Sequence, residues 1–173
     1  YIGCAAAAIT AITALVKKFD TSGTPHVGQL AQYSASGGLA TSQTHGAFDM
    51  GFGGVDYNEG AATLVQGVSQ TIVGILDSTA TAFGKAAGYS VATGFADDSS
   101  GDGAWGGLLI KQMDNVVANW DTTRSSKWAP REFADGEAGQ KQYLAALAAD
   151  TANVLKGMDL GGWASDILSA LGA

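Results

Sequence analysis

All four tryptophans of this 173-residue chain, Trp105, Trp120, Trp128 and Trp163, lie in its second part. A Trp side chain buries roughly 150–250 Å², so its position marks where a core has to close. The asymmetry predicts a helical stem rich in small residues over the first part and a compact, aromatic-anchored head over the second. With 46% hydrophobic and only 14% charged residues the chain is too apolar to stay disordered. Its 25 glycines oppose long helices without neighbours, because an interior Gly costs about 0.5 to 1 kcal/mol relative to Ala.

The head, 89–173, carries the clearer periodicity. Tyr89, Val91, Thr93 and Phe95 alternate with the small residues Ser90, Ala92 and Gly94, the period of a half-buried strand. A second strand is expected over Ala104 to Gln112 and a third over Val116 to Trp120, joined by a tight turn at Asp114-Asn115. This hairpin is expected to bring Trp105 near Trp120. A helix from about Glu137 to Met158 presents Leu144, Leu147, Thr151, Val154 and Met158 on one face. Gly161 and Gly162 then precede Trp163, Ile167 and Leu171 at i, i+4 and i+8. Trp105, Trp120, Trp128 and Trp163 are the expected head core or partner-binding residues.

The stem reads differently. Residues 1–18 form an uncharged helix up to Lys17 and Lys18, with Ile2, Ile9 and Val16 seven apart and Ile12 at the intermediate heptad position. Branched residues at both seam positions favour trimers or larger bundles. A membrane span and a monomeric core helix remain alternatives, although the apolar run falls short of the roughly 20 residues a bilayer needs. Opening on Tyr1 rather than Met suggests a processed product, a fragment or the ordered part of a longer chain. Residues 19–57, rich in Gly, Ser and Thr, read as a linker or strap in which Ala47, Phe48, Met50 and Phe52 supply a hydrophobic anchor. Residues 58–88 read as an apolar helix capped by Asn58 and ended by Gly88. Val65, Val68, Ile72 and Ile75 form a second seam there, and Gly60, Gly67 and Gly74 a face open to close backbone approach. The fold class is therefore α+β: N-terminal oligomerising apolar helices, then a small three-stranded antiparallel meander packed with C-terminal helices.

Residues with intrinsic chemistry do not form a catalytic pattern. A lone Cys4 excludes an intrachain disulfide, and His26 and His45 lack metal-ligand spacing. Asp97, Asp98 and Asp102 are weak metal candidates whose spacing departs from a calcium-binding helix-loop-helix. Arg124, Lys127 and Arg131 gather around Trp128 but are interleaved with acids, which favours ion pairing or a protein partner over nucleic acid. A net charge of −7 likewise opposes nonspecific nucleic-acid binding. Serine-hydrolase elbows, phosphate loops and zinc-hydrolase motifs are missing. No enzyme activity and no cofactor are expected.

The order GFADDSSGDGAWGGLLI, VVANW, KWAPREFADGEAGQKQYLAALAADT and MDLGGWASDIL resembles the C-terminal region of tape measure proteins from long-tailed bacteriophages, over roughly Tyr89 to Leu171. The resemblance implies a structural virion component located in the tail lumen and at the tail tip. It further implies a part in tail length determination and DNA ejection, with tail tube and tip hub proteins as partners beside other copies of the chain. Uncharged Gly60 to Leu76 suggests a role at the host membrane after release. The alternatives are a secreted or surface adhesin-like module and, with less support, a cell-wall hydrolase of the tail.

Overall fold

A computed structural model describes residues 27–43, 59–97, 103–120 and 131–160. The first two strands are β1 (Val27–Ser34) and β2 (Gly38–Gln43), followed by the helix α1 (Glu59–Ala82). Then come β3 (Tyr89–Asp97), β4 (Ala104–Gln112), β5 (Asn115–Asn119), β6 (Arg131–Phe133) and the helix α2 (Gly136–Gly157). The strands form one antiparallel sheet ordered β2-β1-β3-β4-β5, and β6 pairs with β4 on the edge it shares with β5. The expected meander β3-β4-β5 is present, inside a sheet of six strands rather than three.

The additional strands come from the segment read as a strap. In β1, Ala31 and Tyr33 lie opposite Thr93 and Val91 of β3, and Ala31 is wholly buried. The β1–β2 turn closes on Gly38 at φ +70°, a left-handed conformation that Gly adopts without penalty, while Ser34 Oγ accepts the Gly37 amide at 2.9 Å. The hairpin thus replaces the strap over 27–43. Ala47, Phe48, Met50 and Phe52 lie outside the described residues, as do Ile2, Ile9, Ile12 and Val16.

α1 crosses the sheet against β1 and β3, and α2 covers β4, β5 and β6 on the same face. Leu64, Val65, Val68, Ile72 and Leu76 of α1 are all buried, together with Val91, Phe95, Leu108 and Ile110 from the strands. Each such side chain contributes about 1.5–3 kcal/mol when fully buried. This corrects the reading of the second seam: Val65, Val68 and Ile72 are fully covered within the chain, and Ile75 is half-buried against the same core. An interface between copies through them would require that core to open. It also corrects the division into stem and head, because α1 and β1 share one hydrophobic core with β3 and β4.

α1 ends earlier than expected. Lys85 N donates to Ala80 O at 2.8 Å and Gly84 N to Thr81 O at 3.1 Å, with Gly84 at φ +67°. This double bond pattern with a left-handed Gly is a Schellman stop, so Gly84 rather than Gly88 ends the helix. Asp77 Oδ1 then accepts the Gly88 and Tyr89 amides, both at 3.0 Å, tying the helix end to the start of β3. No helix among the described residues is long and apolar enough to cross a membrane.

The β4–β5 turn is Met113-Asp114, one residue before the expected pair, since Asn115 already faces Gln112. Met113 takes φ +52°. Ile110 faces Ala118 and Lys111 faces Val116, so Val117 is the extra residue of a β-bulge.

Candidate functional site

Tyr143, on the inner face of α2, is fully buried where α2 meets the sheet. Its ring lies 5.2 Å from Phe95, 5.9 Å from Trp120 and 5.7 Å from Phe133, the last two edge-to-face. The fit depends on Gly106, because a Cβ there would overlap the Tyr143 ring and touch Phe133. The phenol donates to Gly107 O at 3.2 Å. Burial pushes its pKa well above that of an ordinary tyrosine. Deeper in the core, the Ser69 and Thr93 hydroxyls lie 2.8 Å apart, with Ala31 O 3.1 Å from the first and Val65 O 3.0 Å from the second. Two hydroxyl protons serve these three contacts, which bind α1 to β1 and β3.

At the rim of the aromatic cluster, Asp150 of α2 accepts the indole N–H of Trp120. The Arg131 guanidinium lies 3.4 Å from the same carboxylate oxygen and 4.3 Å over the Trp120 ring. Cation, ring and carboxylate therefore brace one another, each through a separate interaction. Trp120 is 8% exposed, so its faces are already occupied by the protein.

These residues form one wall of a groove of about 610 Å³. It is also lined by Lys85 and Ala86 after α1, by Tyr89 and Gln112, and by Val117, Ala118 and Asn119 of β5. Asn153, Val154, Gly157 and Met158, at the end of α2, complete the lining. Gln112 Nε2 donates to Ala86 O at 2.7 Å, holding the loop after α1 against the sheet. Burial, and secondarily the Asp77 carboxylate, raises the Tyr89 pKa. The groove combines apolar walls, amide side chains and two cationic residues. That combination suits recognition of a polypeptide surface or a polar ligand.

Several expected site residues fall elsewhere. Trp105 pairs in the ladders with Ala96 and Glu132, whereas Trp120 N bonds to Leu108 O, three residues further along β4. On the backbone the two tryptophans are thus three ladder positions apart along β4. Trp128, Trp163, Asp98, Asp102, Arg124 and Lys127 lie outside the described residues, and Asp97 ends β3. Among the described residues no group of three His, Cys, Asp or Glu is placed to hold a metal ion. Arg131, grouped in sequence with Trp128, sits on Trp120 instead. Asp150 and Tyr143 stand outside the sequence expectations; their signal is the shared helical stripe Tyr143, Leu147, Asp150 and Val154, where a carboxylate interrupts an apolar face.

No family model, no curated protein and no solved structure matches this chain.

Proposed function

We propose that the chain is a structural component of a long-tailed phage particle, the C-terminal part of a tape measure protein held at the tail tip, with the sheet and its two helices as its folded anchor. The observation that supports this reading is that the segments resembling such proteins build one continuous body. GFADDSSGDGAWGGLLI supplies the end of β3 and β4, VVANW supplies β5 and Trp120, and PREFADGEAGQKQYLAALAADT supplies β6 and α2. Their side chains meet at Trp120, Phe133 and Tyr143. Titratable groups there are used for bracing: Asp150 binds Trp120 and Arg131, and Tyr143 bonds to backbone. This favours a rigid, non-enzymatic seat.

Self-association belongs in this reading to Ile2, Ile9, Ile12 and Val16, since the apolar stripe of α1 is used in the core. For the same reason α1 has no membrane role in it: inserting Ile72 into lipid would require unfolding the domain. The reading is tested by purifying particles that encode the chain and locating it by mass spectrometry and electron microscopy. The expected result is a few copies per tail, at the tip, co-purifying with hub proteins. A free secreted monomer that binds cell surfaces and is lacking from particles would establish the adhesin alternative instead.

A further inference from the structure

We propose that the groove lined by β5 and the end of α2 binds an acidic, aliphatic peptide segment of a partner protein. This inference stands on the groove itself and is independent of the phage reading.

The charged groups of the groove have capacity left for an anion. Lys85 and Arg131 line it against one carboxylate, Asp150, in a chain whose net charge is −7. Lys85 forms no ion pair among the described residues, where the pairs are Arg131–Asp150 and Lys141–Glu137. The Arg131 guanidinium is held 4.3 Å over the Trp120 ring and reaches Asp150 through Nη2 alone, at 3.4 Å, so most of the donors on its planar fork stay open. A guanidinium of fixed orientation with spare donors matches a carboxylate, whose two oxygens fit the fork. The backbone that carries Lys85 is fixed as well, by Lys85 N donating to Ala80 O and Gln112 Nε2 to Ala86 O.

The remaining lining selects the rest of the ligand. Val117, Val154 and Met158 are apolar, and Val117 is 43% exposed, which suits an aliphatic side chain beside the acidic one. The side-chain amides of Gln112 and Asn153 offer donor and acceptor groups of the kind that pair with peptide bonds. A nucleobase or sugar ring lacks a platform, because Trp120 is 8% exposed and is covered by Arg131, Phe133 and Tyr143. A polyanion is opposed by the acidity of the chain as a whole. The volume of about 610 Å³ lies within the rough 300–1,000 Å³ range of sites that enclose several groups.

The test titrates the full, isotope-labelled chain with a pool of acetylated, amidated peptides Ala-X-Glu-X-Ala, where X is Leu, Ile or Val, and with the same pool carrying Gln for Glu. The Glu pool should shift the amide signals of Val117, Asn153 and Val154 while sparing Ala40 of β2. At low salt it should bind roughly two- to five-fold more tightly than the Gln pool, a preference that fades as salt is added. Lys85→Glu should remove or reverse the preference. Lys141→Glu, an equal change of net charge in the first half of α2 and outside the groove, should leave it unaltered. No shift with the Glu pool, no preference over Gln, an equal loss with Lys141→Glu, or groove shifts produced by glucuronic acid and by neither pool would each overturn the proposal. Groove signals that move with protein concentration alone would overturn it too, assigning the site to a second copy.

Discussion

Gly106 shows how much one missing carbon decides. Its backbone lies so close to the Tyr143 ring that a methyl group would displace either the ring or β4. Gly106→Ala should lower stability by about 1–3 kcal/mol through overpacking, read as a reduced urea midpoint with an unchanged slope. Tyr143 has a separate signature. Its folded pKa is raised by burial, so the native state holds the phenolic proton to higher pH than the unfolded chain does. Its stabilising contribution is present below the ordinary tyrosine value of 10.0 and declines as pH rises above it. Tyr89 shifts in the same direction. Unfolding free energies measured from pH 8 to 11 should therefore fall steeply for the parent and less steeply for Tyr143→Phe. At neutral pH that variant should lose about 1 kcal/mol with the bond to Gly107. A slope identical to the parent's would remove Tyr143 from the alkaline transition.

At the level of elements, α1 illustrates an ambiguity that periodicity cannot remove. Val65, Val68 and Ile72 have the spacing of a seam between copies, and the same spacing serves a helix lying on a sheet. The glycine face provides a direct discrimination. Gly74 is exposed, and a Cβ built on it meets nothing within 4 Å. Gly74→Ala should raise stability by about 0.5 to 1 kcal/mol, seen as a higher melting temperature, because Ala loses less conformational entropy in a helix. A loss of stability would instead mean that another backbone packs there. The strands divide along similar lines. β3 and β4 were legible because large and small residues alternate sharply, whereas β1 and β2 consist largely of Gly, Ala, Ser and Gln, whose pattern is faint. Their strand character comes from pairing, β1 with β3 more than fifty residues away and β2 with β1.

For the molecule as a whole, the assembly proposed for residues 1–18 would leave the core of the described residues untouched. Among the described residues, both helices and the sheet share one hydrophobic core, with both helices on one face of the sheet. Replacing Ile9 and Ile12 together by Asp should consequently dissociate any oligomer in sedimentation analysis while the circular dichroism and melting of the 27–160 body stay within a few degrees of the parent. Concurrent unfolding would show that residues 1–18 belong to the same core.

Local pattern alone determined the α+β class, the meander β3-β4-β5, the extent of α2 and the identity of Leu144, Leu147 and Thr151 as its buried face. These depend on side-chain alternation and helical spacing, which neighbouring residues carry by themselves. Tertiary structure decided that β1 enters the sheet beside β3, that α1 is covered by its own chain, and that Arg131 lies on Trp120 with Asp150. Each of these pairs residues distant in sequence. An apolar stripe specifies that it must be covered, and only the three-dimensional closure of the chain specifies by what.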